Sequence, residues 1–156
     1  MSATVAQSIA PLTAEDFTEL AHLMPETARL LEACMGIIAA TALLNAWPGV
    51  EVKVPRFPDA NPAGARRWSQ MSAVVGEPAM RHLAALYGGT VLEIPLCSRV
   101  RQEKRNRVIR RDFDQFTSKP PVGIGLSKAE AVQEIGMRYA PISVRQIESI
   151  LNQTNR

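Results

Sequence analysis

The residues best equipped for chemistry are a run of arginines. Seven of the thirteen residues in "RVRQEKRNRVIRR", from Arg99 to Arg111, are basic, and Glu103 alone opposes them. A guanidinium presents a planar fork of donors that fits phosphate oxygens two at a time. Arg99, Arg101, Lys104, Arg105, Arg107, Arg110 and Arg111 are therefore candidate contacts to a DNA backbone. Ile109, Phe113 and Phe116 recur at helical spacing, which predicts a helix with one thin packing stripe and cations over much of the rest. Ser98 is placed to cap it.

A second set of binding residues lies in "LSKAEAVQEIGMRYAPISVRQIESILNQ". Ser127 followed by Glu130 has capping-box spacing and predicts a helix to about Arg138. A short turn at "YAP" follows, and Ser143 caps a further helix with Ile147, Ile150 and Leu151 on its buried face. Helix, tight turn and capped helix is the helix-turn-helix pattern, whose second helix enters the major groove. Its opening positions, Val144, Arg145, Gln146 and Glu148, are the candidate base readers, because Arg and Gln match guanine and adenine edges. Ser143 joins the backbone contacts.

Catalytic chemistry has no comparable support. His22 and His82 have no Asp, Cys or second His at relay or ligand spacing. "GIGLSK" lacks the spacing of a phosphate-binding loop. Cys34 and Cys97 form no ligand-spaced pair and read as reduced core thiols. Cys97 lies near Arg99, which would lower its thiol pKa, but no base is close in sequence. The pairs Glu15–Asp16 and Asp112–Asp114 read as helix-end and surface charges. The residues predict no enzyme, no metal site and no cofactor.

The rest of the chain must position these groups. At 156 residues, 46% hydrophobic and 21% charged, it has the size of one domain or two small ones. No apolar run reaches the ~18 residues that span a bilayer, and no basic segment followed by an apolar one marks a signal peptide. A cytoplasmic protein with no membrane partner is expected. Residues 1–95 hold six basic and nine acidic side chains, a balance of −3, whereas residues 96–156 hold twelve and six, a balance of +6. A polyanion partner is expected for the basic end.

Three breaks, "VPRFPDANPAG", "GGTVLEIPLC" and "TSKPPVGIG", interrupt the helical patterns. Before the first, "MPETARLLEACMGIIAATALLNAW" reads as one or two helices with Leu30, Leu31, Met35, Ile38, Ala42 and Leu43 as a stripe. Before the second, "WSQMSAVVGEPAMRHLAALY" repeats the theme, with Pro78 tolerated in a first turn.

The repetition is literal. "ACMGIIAATALLNAWPGVEVKVP" aligns without a gap on "AVVGEPAMRHLAALYGGTVLEIP" forty residues later, with six identities in twenty-three positions. Ala33, Gly36, Ala39, Leu43, Gly49 and Pro55 meet Ala73, Gly76, Ala79, Leu83, Gly89 and Pro95. Trp47 falls on Tyr87, and Val52 and Val54 fall on Leu92 and Ile94. Each copy reads helix, Gly turn, alternating strand and Pro stop. A lone short strand leaves its backbone unpaired, so "VEVKV" and "TVLEI" are expected to pair as a ribbon. Gly88 and Gly89 allow a sharp turn, one of them at positive φ, and Pro95, with no amide hydrogen, ends the pairing. The basic helix would then start from a fixed edge.

"GGTVLEIP", "RNRVIRRDF" and "ISVRQIESIL", in that order, resemble the Mor/C family of Mu-like phage transcription activators. In that family a helical dimerisation region ends in a Gly-Gly turn and a Pro-closed strand, followed by a basic helix and a helix-turn-helix. Gly88, Gly89, Ile94 and Pro95 match the turn and strand. Arg105, Asn106, Arg107, Ile109, Arg110 and Phe113 match the basic helix, and Ile142, Ser143, Arg145, Gln146 and Ile147 match the start of the recognition helix. The likeness covers about residues 73–116 and 127–152. It implies a homodimer that binds a two-half DNA site and recruits RNA polymerase in a bacterial or phage-infected cell. The extra upstream copy departs from the family and suggests a dimer platform folded into one chain.

The expected fold is mainly α. A platform at 1–95, with repeats at about 26–55 and 66–95, carries a two-stranded β-ribbon, with Gly49, Pro55, Gly88, Gly89 and Pro95 setting its turns and ends. A basic helix-turn-helix domain occupies 96–156. The expected function is a sequence-specific DNA-binding transcription regulator, an activator of a phage or mobile-element promoter. Its expected partners are double-stranded DNA, RNA polymerase, and either a second copy of the chain or its own repeat. The competing reading is a protein-interaction module whose basic tail binds nucleic acid without sequence preference.

Overall fold

The two aligned segments fold alike, element for element, in the computed structural model, which describes residues 11–153. The extreme N-terminus, on which the expectation of no signal peptide bears, lies outside the described residues. A short helix α1 (Asp16–Glu19) and a 3-10 turn (Ala21–Leu23) lead in. The first copy is then α2 (Glu26–Met35), α3 (Ile37–Ala46) and β1 (Glu51–Lys53). The second is α4 (Pro62–Val75), α5 (Glu77–Tyr87) and β2 (Val91–Glu93). Gly36, at φ 85° and ψ 162°, separates the helices of the first copy, and Gly76, at φ 91° and ψ 153°, those of the second. A side chain at either position would be strained, so the helix must break there. Pro78 sits in the first turn of α5, where it displaces no hydrogen bond.

β1 and β2 pair antiparallel within the chain, with Glu51 opposite Glu93, Val52 opposite Leu92 and Lys53 opposite Val91. Backbone bonds extend the pairing at both ends. Gly49 N–H donates to the Ile94 carbonyl at 2.9 Å, and its counterpart Gly89 N–H donates to the Val54 carbonyl at 2.8 Å. Ile94 N–H donates to Val50, and its counterpart Val54 N–H donates to Thr90, both at 2.9 Å. The ribbon therefore carries an internal two-fold, and the expected pairing of the two strands is met inside one molecule.

The core obeys the same symmetry. Ala28 and Trp68, Leu31 and Met71, Ala40 and Met80, Leu43 and Leu83, Val52 and Leu92, and Val54 and Ile94 are all buried. In each pair the members are counterparts in the two copies. α2 packs against α5, and α3 against α4, so each copy's helices close on the other's. Neither copy encloses a core alone. Burying each of the larger side chains stabilises by about 1.5–3 kcal/mol, and a separated copy would forfeit that.

One sequence expectation is corrected here. Leu30 is 50% exposed and Ile38 is 83% exposed, although Leu31 and Leu43 of the same expected stripe are fully buried. Leu30 and Leu31 are adjacent in α2, about 100° apart around the helix, and only Leu31 faces the core, whereas the break at Gly36 resets the helical phase before Ile38.

By its internal contacts the described chain divides between Arg101 and Gln102, inside α6 (Ser98–Thr117), whereas the sequence suggests a boundary after Pro95. Cys97 and Val100 explain the difference, because both are buried in the platform core. Ser98 is the first helical residue, which moves the cap position to Cys97, at φ 57°.

In the C-terminal unit α6 is followed by α7 (Lys128–Arg138) and α8 (Val144–Asn152). Ile109 and Phe116 of α6, Ala131, Val132 and Ile135 of α7, and Ile147 and Ile150 of α8 form its core. The proline-glycine loop before α7 folds back along the end of α6. Ile124 N–H and Leu126 N–H donate to the Gln115 and Phe116 carbonyls at 3.2 and 2.8 Å. Carbonyls that a helix end leaves unpaired are thereby satisfied. The described residues are thus mainly helical, with one two-stranded antiparallel ribbon.

Candidate nucleic-acid interface

α8 is built to show one face and hide the other. Ser143 accepts a bond from Gln146 N–H at 3.1 Å, and the Gln146 side-chain oxygen accepts one from Ser143 N–H at 3.0 Å. This reciprocal cap satisfies donors that the helix start would otherwise leave unpaired. Ile147 and Ile150 then point inward, while Val144, Arg145 and Glu148 are exposed. Arg145, Glu148, Ser149, Asn152 and Gln153 line one surface concavity.

The Gln146 side-chain oxygen is engaged in the cap, and it is the same oxygen that a two-point contact to adenine uses. Ser143 is likewise engaged in the cap. Ser149 and Asn152 escaped the sequence reading, which stopped at the first turn of the helix. Ser149 is four residues from Arg145 and Asn152 four from Glu148, the spacing that places them on the same face.

The arginines of α6 divide into two groups. Arg101 is 7% exposed, donates from Nε to the Leu96 carbonyl at 2.8 Å, and from a terminal nitrogen to the Leu44 carbonyl at 3.0 Å. Burial lowers its pKa, opposed by the nearby Cys97 and Asp16. Arg101 therefore caps the end of α3 with almost none of its surface in solvent, which overturns its assignment as a phosphate contact. Arg110 is 19% exposed and bonds Glu103 at 3.1 Å and the Ile150 carbonyl at 3.3 Å. It ties α8 to α6 and is chiefly a positioning residue.

The others keep more access to water. Arg99 and Arg111 are exposed, and Lys104 and Arg105 are partly so. Arg105 bonds the Asn106 side chain at 3.2 Å, and Arg107, with a half-exposed side chain, pairs with Glu103 at 3.6 Å. An exposed ion pair of this kind is worth less than about 1 kcal/mol, so a phosphate can displace it.

Asp112, expected as a surface charge, is instead buried beside the candidate interface. It is 6% exposed and accepts bonds from the Tyr139 hydroxyl at 2.6 Å and from Arg138 at 3.1 Å. Arg138 also lies over the Phe116 ring, 5.1 Å from its centre. These contacts fasten the end of α7 to α6 and so orient the turn before α8. The Tyr139 phenol is pushed up to about 12, first by burial and then by its bond to Asp112 and that carboxylate's charge. The signal was available, because Asp112 shares the helical stripe of Ile109, Phe113 and Phe116. Asp16 is also buried, and its carboxylate accepts from Thr13 N–H at 2.8 Å.

Burial pushes the Cys97 thiol up, and only in part does Arg101 oppose it, which reverses the expected lowering. Cys34 is raised by burial as well, and both cysteines are free thiols. Among the described residues no group of three or more His, Cys, Asp or Glu is arranged to hold a metal ion. No helix among them is long and apolar enough to cross a membrane.

No protein-family model, curated protein or solved structure matches this chain.

Proposed function

We propose that the chain is a sequence-specific DNA-binding regulator of transcription whose C-terminal unit works as a helix-turn-helix head. The observation that supports it most is α8, a helix capped at both backbone and side chain by Ser143 and Gln146, with Arg145, Glu148, Ser149 and Asn152 turned outward. These are side chains that read base edges, on an element of the size that enters a major groove. Arg99, Lys104, Arg105, Arg107 and Arg111 supply the phosphate contacts, and Arg110, Asp112 and Tyr139 hold the helices that carry the readers.

The order of Gly-Gly turn, Pro-closed strand, arginine helix and Ser-capped helix resembles the Mor/C activators. On that likeness the regulator activates a phage or mobile-element promoter through RNA polymerase in a bacterial cytoplasm.

Selection from random duplexes, followed by binding at two salt concentrations, tests the reading. A preferred element should bind roughly a thousandfold or more tighter than random DNA. Equal binding to all duplexes with a steep salt slope would instead indicate an interaction module with a basic tail.

A further inference from the structure

We infer that one chain reads a single asymmetric DNA element, as a monomer, where a homodimer would read a two-fold element. This rests on the DNA-binding reading above and adds the form of the site.

When two identical chains make a two-fold platform, each contributes a head, and the DNA site carries the same symmetry as two half-sites about ten base pairs apart. In this protein the two-fold lies within one chain. Val52 faces Leu92, its own counterpart, and each end of the ribbon repeats the backbone bonds of the other. The helices close in the same crossed manner, α2 on α5 and α3 on α4. The strand edges and core faces that meet at this two-fold are occupied by the chain's own two copies.

The symmetry holds through both prolines and then stops. Leu96 lies beside Gly49 just as Arg56 lies beside Gly89, so the two exits from the ribbon begin alike. Beyond the second exit the chain becomes the arginine helix α6. Beyond the first it returns to the platform as α4.

The counterpart of Arg99–Arg111 is Asp59–Met71, which has two basic residues, Arg66 and Arg67, where the later segment has seven. Trp68 and Met71 of that counterpart are buried in the platform. The first exit leads straight into α4, whose buried Trp68 and Met71 are the counterparts of Ala28 and Leu31, and no second arginine helix follows it. One platform with two equivalent exits therefore carries one head.

The element selected from random duplexes by the full-length chain should lack an inverted repeat and should bind one chain per duplex, measured by sedimentation of the complex. Equilibrium unfolding followed by tryptophan fluorescence, which reports on buried Trp68, should have a midpoint independent of protein concentration over a hundredfold range. An inverted repeat that takes two chains, or a midpoint that rises with concentration, overturns the monomer inference and leaves the DNA-binding reading intact. Failure to enrich any element removes the DNA-binding reading, and this one with it.

Discussion

Glu51 and Glu93 stand directly opposite each other on the exposed side of the ribbon, two like charges paired where Val52 and Leu92 next to them pair two buried apolar side chains. Like charges in facing positions destabilise a two-stranded pair. Glu93→Lys should therefore stabilise the platform by about 0.2–1 kcal/mol at low ionic strength. The gain should fade in ~1 M salt, where charges are screened beyond ~3 Å. Urea unfolding at the two salt concentrations measures both.

Gly89 has φ 81°, and a side chain there would run into the Arg56 guanidinium. Its counterpart Gly49 has φ 78° with only the Leu96 Cβ nearby, at 4.0 Å. Gly89→Val and Gly49→Val should each cost about 1–3 kcal/mol of backbone strain, and the Gly89 variant should lose more. Thermal denaturation ranks the two.

Arg101 and Arg111 are both arginines of α6 with opposite roles. Arg101→Ala strips a partner from the buried Leu44 carbonyl and from the part-buried Leu96 carbonyl and should destabilise the platform by about 1–3 kcal/mol. Arg111→Ala should leave stability within ~0.5 kcal/mol and lower the slope of log binding constant against log salt by roughly one unit. A reversed pattern would exchange their assignments.

Arg145→Ala and Asn152→Ala should each cost about 1–3 kcal/mol on the preferred element and relax its sequence. Gln146→Ala should chiefly weaken the start of α8, by about 0.3–1.5 kcal/mol, with sequence preference retained. Competition binding against single-base variants separates the two effects.

Tyr139 gives a pH dependence with a definite sign. Its phenol titrates near 10 when unfolded and is pushed up to about 12 in the fold. A raised folded pKa means that the folded state holds the proton more tightly. The stabilisation is therefore complete below pH ~10 and is lost as pH rises towards about 12. Tyr139→Phe should be less stable at neutral pH, by about 1–3 kcal/mol for a hydrogen bond to a charged group. It should also lose less between those two pH values than the parent, which fluorescence-detected unfolding would show.

What the sequence made legible follows from where its signals are local. Capping at Ser127 and Ser143 depends on residues three apart, and both capping boxes form. The ribbon was legible because the same pattern occurs twice, and a repeat names its own partner. Arg101 was not, because its carbonyl partner Leu44 is distant in sequence and nothing beside Arg101 announces it. Leu30 and Ile38 misled for the opposite reason. Both fit a loose helical stripe, but Leu30 sits one position off the buried face of its own helix, and the glycine before Ile38 ended the helix that the stripe ran through.

In a homodimer every substitution strikes both halves of the interface, so a useful change on one side is forced on the other. Two copies within one chain carry no such constraint, and their outer surfaces differ. Ile38, Leu30 and Leu86 are exposed in their copies, and their counterparts are Pro78, Gln70 and Ala46. The buried counterparts are apolar in both copies, within one core cluster. Selection can therefore act on one face of this platform while the matching face goes its own way.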